Sequence, residues 1–186
     1  MIGAVLAGGE GSRFGNRSKP AAELAGRPLV TYPVAALREV CERVAVVCKK
    51  GSDVPEVEGA ERWNEPDEPR HPLTGIVHAL EQANGEAVLV CAADMPFVTG
   101  DACRTLLAAP QKSLAVLAAA DGVLQPTFGV YAPGALDTLH EAEPDASLTS
   151  TVEKLEPTRV AFPSRLVRSI NTPEQLKEAE KERADA

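Results

Sequence analysis

The sequence predicts an α/β protein of three layers, a Rossmann-like sandwich with a central, mostly parallel mixed sheet between helices. Three observations predict it. Short apolar runs recur at 2–7 (IGAVLA), 44–48 (VAVVC) and 87–93 (AVLVCAA), with the length and near-continuous apolarity of strands buried on both faces. Between them lie stretches with apolar residues at helical spacing, such as Val34, Leu37 and Val40, the alternation that builds parallel sheets. The first run breaks into a glycine-rich loop, where open α/β sheets place their ligand sites.

The elements follow in order. After the loop, 24–29 is expected to turn into a helix running to about Val40, with Pro33 in its first turn, where no amide hydrogen bond is lost. The second strand, 44–48, ends at Lys49 and Lys50. Residues 51–70, rich in Pro, Glu and Asp, read as loop with a short strand near 61–63 around a packed Trp63. A helix through about Gln82 and the strand 87–93 come next. Thr99 is the expected cap of a helix over 100–108. Residues 114–120, the turn Asp121-Gly122 and 126–131 read as a hairpin. Helices over 134–140 and 148–155 precede strands over 159–162 and 167–170. In the last helix Thr172 is the cap, Pro173 the first helical residue and Gln175 the partner that completes a capping box. The tail past Lys177 reads as a solvated helix face and a frayed end. The 186 residues are expected to form one domain over 1–186, large enough for a sizeable core.

A net charge of −8 argues against a nucleic-acid partner, which calls for a basic face. No apolar run approaches the roughly 20 residues that span a bilayer, and the short N-terminal run does not read as a signal peptide. The expected setting is cytoplasmic. Cys41, Cys48, Cys91 and Cys103 are scattered, with no C-x-x-C pair, and read as reduced core residues.

The chemistry concentrates in 2–20. Gly8, Gly9, Gly11 and Gly15 follow the first strand, with Arg13 within the loop and Lys19 at its end. Exposed backbone N–H groups at a strand's carboxyl end, joined by two cations, suit a polyphosphate. The dinucleotide fingerprint fails because its third glycine position is Phe14, and the Walker A motif fails because Lys19 precedes Pro20. Asp94 ends the third strand, at the sheet edge where α/β ligands bind.

Five strings in order, LAGGEGSRFG, KP, PLTGI, ADMPF and INTPEQL, together with the Gln125-Pro126 segment, cover nearly the whole chain. In these the sequence resembles the molybdenum cofactor guanylyltransferases, a MobA-like nucleotidyltransferase family of GT-A-like (nucleotide-diphospho-sugar transferase) fold. The resemblance implies transfer of GMP from GTP to the phosphate of molybdopterin, with release of pyrophosphate and with Mg2+ as cofactor. It implies nucleotide binding by Leu6, Ala7, Gly8, Gly9, Gly11 and Ser12, and by Asn64, Pro72, Leu73 and Gly75. Arg13 would grip the β- and γ-phosphates, Lys19 would meet charge at the α-phosphate, and Asp94 would hold the metal. Gln125, Pro126 and Asn171 would lie on the acceptor side. A molybdoenzyme or another cofactor-biosynthesis protein would be a partner. The spelling L-A-G-G with P-L-x-G favours guanine over cytosine. Cys48, Asn64, His71 and Ala93 stand where the family commonly has Asn, Asp, Gly and Cys. No histidine is expected to be catalytic. Two alternatives remain at this stage: nucleotidyl transfer with another base or acceptor, cytidylyl transfer included, and a non-catalytic nucleotide-binding module.

Overall fold

The computed structural model describes residues 1–8, 19–143 and 146–184. Its centre is β1 (Ile2–Leu6), which pairs in parallel with β4 (Arg43–Lys49) on one side and β6 (Val88–Ala92) on the other. These three runs of small and β-branched apolar residues are buried on both faces, so they occupy the middle of the sheet. Outward from β4 lies β5 (Glu61–Glu65), again parallel. Beyond β6 come β8 (Val123–Tyr131), β7 (Ala115–Ala120) and β9 (Thr158–Ala161), giving the order β5-β4-β1-β6-β8-β7-β9. β8 runs against both neighbours, and every other pairing is parallel. The sheet is therefore mixed and mostly parallel, as expected. A separate two-stranded hairpin, β2 (Glu23–Leu24) and β3 (Arg27–Pro28), follows the glycine loop.

The period of two sends alternate residues of each strand to opposite faces. Val5, Val46 and Leu89 meet α1 (Thr31–Arg38) and α3 (Gly100–Ala108) in one core. Ala4, Val47 and Val90 meet α2 (Pro72–Gln82), α4 (Ala135–His140) and α5 (Leu148–Glu153) in the other. A third, smaller core joins the β2–β3 hairpin to α6 (Pro173–Ala184) through Leu24, Tyr32, Ile170 and Ala179. No helix among the described residues is long and apolar enough to cross a membrane.

Local expectations hold where short-range chemistry decides them. Thr99 caps α3, its hydroxyl accepting from the Ala102 N–H at 3.3 Å. Thr172 caps α6, accepting from the Gln175 N–H at 3.3 Å, while Gln175 reaches one residue further back than a capping box does, accepting from the Asn171 N–H at 2.6 Å. Asp121 and Gly122 both take positive φ, as a two-residue hairpin turn requires. Four expectations change. Residues 23–28 form a hairpin, not a plain turn, because Ala25 and Gly26 also take positive φ. β5 extends to Glu65, two residues past the expected strand, because it completes the ladder with β4 up to the Lys49–Glu65 pair. Residues 167–170 are not a strand. They cross the sheet's carboxyl edge, where the Ile170 N–H donates to the Asp94 carbonyl at 2.8 Å. The tail past Lys177 is not wholly solvated, since Ala179 is fully buried and Glu182 holds Arg168 in a two-pronged pair at 2.9 Å.

Candidate active site

The carboxyl ends of β1, β4 and β6 open into a cavity of about 370 Å³. One end is polar. Lys19 opens a single 3-10 turn whose next residue, Pro20, is buried and accepts from the Val30 N–H at 3.2 Å. Its ammonium is thereby aimed at the end of β6, where it pairs with Asp94 Oδ2. The same ammonium donates to Asn171 Oδ1 at 2.6 Å. Asp94 Oδ1 is buried without a hydrogen-bond partner, alone in this among the side-chain nitrogens and oxygens of the described residues. A buried carboxylate oxygen left open suits a cation with oxygen ligands. No cluster of three or more His, Cys, Asp or Glu among the described residues could hold a metal. A cation here would rest on Asp94 and on oxygens brought by a ligand, the sparse protein shell that Mg2+ accepts.

The other end is built by shape. Glu65, at the tip of β5, is almost fully buried and pairs with Lys49 at 3.4 Å. Burial raises its carboxyl above the ordinary carboxylate range, and Lys49 opposes the shift without cancelling it. Lys49 also donates to the carbonyls of Pro66 and Pro69, so it ties the loop that closes this end. A Cβ on Gly8 would stand 2.0 Å from Glu65 Oε1, and one on Gly75 would stand 3.0 Å from Glu65 Oε2 and 3.1 Å from Leu6 Cδ2. The glycines of the first and third strings thus make room for one carboxylate. His71 caps α2, its Nδ1 accepting from the Leu73 N–H at 3.2 Å. A ring nitrogen used in this way is not free for proton transfer.

The expected site residues divide. Leu6, Ala7, Gly8, Lys19, Pro72, Gly75 and Asp94 line the cavity. Asn171 reaches it through Lys19, while Leu73 serves the α2 cap. Gly9, Gly11, Ser12 and Arg13 lie outside the described residues. Asn64 is not brought in. It pairs with Cys48, on the α1 face of the sheet, and accepts from Arg62 Nε at 3.4 Å. Glu65, one residue on, has the parity that faces the cavity. Gln125 and Pro126 do not line it either, whereas Thr127 does. The register of β8 against β7 jumps from Gly129–Leu117 to Gln125–Ala118, which leaves 126–128 unpaired on that side. Glu65, Thr127 and Ser169 therefore line the cavity unannounced. For Glu65 a signal existed, since Trp63 as a packed residue sets the parity of β5. The cysteines are unpaired, and burial pushes Cys41 up to about 11 and Cys103 to about 12, so neither is a nucleophile near neutral pH.

A mostly parallel sheet with Lys19 and Asp94 paired at the carboxyl ends of its central strands defines an α/β protein that binds its ligand at that edge of the sheet. Comparison narrows this. The model of the MobA-like NTP transferase domain matches residues 3–160, and the chain belongs to that family. It is 31% identical to the molybdenum cofactor guanylyltransferase of Cereibacter sphaeroides, over 97% of this chain and 95% of the relative. It is 29% identical to that of Pseudomonas putida KT2440, over 94% of each. Among solved structures, the molybdopterin-guanine dinucleotide biosynthesis protein A of Archaeoglobus fulgidus superposes with a TM-score of 0.77 at 24% identity, covering all of both chains. The 2-C-methyl-D-erythritol 4-phosphate cytidylyltransferase of Thermus thermophilus shares the fold at 0.75 and 19% identity, over 97% of this chain and 98% of that one.

Proposed function

We propose that this chain transfers GMP from GTP to the phosphate of molybdopterin, with release of pyrophosphate, in molybdenum cofactor biosynthesis. The observation that carries the reading is the meeting of Lys19 and Asp94, 75 residues apart in sequence, in the cavity over the central strands. A phosphate oxygen of the acceptor forms the new bond to the α-phosphorus. The bond from that phosphorus to the bridging oxygen breaks, and pyrophosphate leaves with the electron pair. The nucleophile is already ionised near neutral pH, so no residue is assigned as a general base. Both reactants are anions, so positioning and charge neutralisation dominate. Lys19 places positive charge beside the reacting phosphate, and Arg13 would clamp the leaving phosphates as a fork. A bound divalent cation, Mg2+ on this reading, supplies further positive charge against the phosphate oxygens, and Asp94 is the residue that would hold it.

Glu65 supports guanine. An ionised carboxylate only accepts hydrogen bonds, and guanine alone among the four bases presents two adjacent donors, its N1–H and its amino group. The cavity wall beside Glu65 is apolar, from Leu6, Val47 and Pro72, as a base requires. The reading includes a cytoplasmic setting, which the four unpaired cysteines support, and a molybdoenzyme or cofactor-biosynthesis protein to receive the product.

The test is pyrophosphate release with Mg2+ and molybdopterin, comparing GTP, CTP, ATP and UTP. Release with GTP alone is expected. Release with CTP would keep the mechanism and overturn the base. Silence with all four would mean another acceptor or a module that binds nucleotide without turning it over.

A further inference from the structure

Among the described residues two Lys or Arg side chains line the cavity, Lys19 at its polar end and Arg70 in the loop that closes the other. The backbone beside Arg70 is held from three sides. The Pro69 carbonyl accepts from the Thr74 hydroxyl at 2.9 Å, from the His71 N–H at 3.0 Å and from Lys49 Nζ at 3.4 Å. His71 in turn caps α2. The root of Arg70 is thus fixed at the cavity rim. Its side chain is 58% exposed and pairs with Glu68, itself exposed, at 3.2 Å. An ion pair in water is weak, so a ligand entering the cavity competes with Glu68 for the guanidinium.

Glu65 and Arg70 are opposite in depth and in chemistry. Glu65 is almost fully buried and, when ionised, only accepts hydrogen bonds, whereas Arg70 stands at the rim and only donates them. Guanine sorts its own groups in the same way. Its N1–H and amino group lie together, and O6 and N7 lie together on the adjoining edge. With the donors turned inward to Glu65, the O6 and N7 acceptors are left for a group that donates. A guanidinium matches these two acceptors with two N–H groups.

We propose that Arg70 is a specificity-determining residue that grips O6 and N7 of guanine while Glu65 takes the N1–H and the amino group. The inference rests on the reading above that Glu65 faces guanine. Adenine carries an amino group where guanine has O6, so there the guanidinium meets a donor with a donor.

The test measures binding of GTP, 7-deaza-GTP and CTP to the full chain by calorimetry, in Mg2+ and without acceptor. In 7-deaza-GTP a carbon replaces N7 and nothing else changes. Wild type is expected to bind it about tenfold more weakly than GTP, the scale of one hydrogen bond to a charged group. Arg70→Ala is expected to weaken GTP binding by about fivefold to 150-fold, the scale of a two-pronged contact to guanine, and to bind GTP and 7-deaza-GTP alike. Arg70→Lys keeps the charge and loses the fork, so it is expected to fall well short of wild type. Thermal midpoints check that each variant is folded, and the wild-type comparison needs no variant. A wild type that binds CTP as tightly as GTP overturns this inference together with the guanine reading. A wild type that prefers GTP to CTP yet binds 7-deaza-GTP as tightly as GTP overturns the inference alone. So does a preference for GTP over 7-deaza-GTP that Arg70→Ala leaves unaltered, or full recovery of GTP affinity in Arg70→Lys.

Discussion

The two ends of the cavity are built in opposite ways. At the polar end, three side chains from distant parts of the chain, Lys19, Asp94 and Asn171, meet through hydrogen bonds and leave one carboxylate oxygen open. At the other end one carboxylate, Glu65, is embedded by shape between Gly8 and Gly75, with Lys49 as its ionic partner. The first arrangement is a set of charged and polar groups with one acceptor position unfilled. The second is a fixed surface whose geometry a single methyl group would disturb. On the function proposed above, the polar end would govern reaction rate and the embedded end would govern which base enters.

The sharpest way to break this division is at the polar end. Asp94→Ala is expected to lower turnover by about tenfold to a thousandfold, the scale of lost electrostatic stabilisation, with the thermal midpoint close to wild type. Steady-state pyrophosphate release checks it, and near-normal turnover in the folded variant would remove the metal assignment. Next comes Gly8→Ala. Its added methyl must push Glu65 aside, and an overpacking cost of about 1–3 kcal/mol, if it falls on the bound state, corresponds to a loss of GTP affinity of about fivefold to 150-fold. Adding Glu65→Ala should relieve the clash without restoring preference for GTP over CTP, as competitive binding would read. Unaltered GTP affinity in Gly8→Ala would show that the carboxylate moves freely and that shape does not govern this end.

The smallest effect concerns stability. The Glu65 carboxyl is raised in the folded chain, so the fold favours its protonated form. That contribution is full below the ordinary carboxylate range and is lost as pH rises through the raised value. At neutral pH the buried ionised carboxylate is therefore a net cost. Glu65→Gln, which leaves Lys49 its two carbonyl acceptors, is expected to melt above wild type at neutral pH. The gap should close as pH falls below the raised value. Melting curves from pH 4 to 8 check the sign, and a gap that widens toward acid would reverse the argument.

The amino-acid sequence by itself determined what local chemistry decides. Apolar runs specified the central strands, because a strand buried on both faces needs no partner to be recognised. Asp121-Gly122, Thr99 and Thr172 specified a turn and two caps, each closed within a few residues. Even the polar end was legible residue by residue: Lys19, Asp94 and Asn171 each stood out in a recognisable string. Only the tertiary structure decided that they share one set of hydrogen bonds, since contacts across 75 and 152 positions depend on how strands pair. It also decided Glu65 over Asn64. Successive strand residues face opposite sides, so one step of parity separates the cavity from the α1 face, and the pairing of Cys48 with Asn64 sets that parity. The same holds for 167–170, apolar enough to read as a strand. With β9 forming the edge of the sheet, that segment crosses to Asp94 instead, because its backbone finds a partner there.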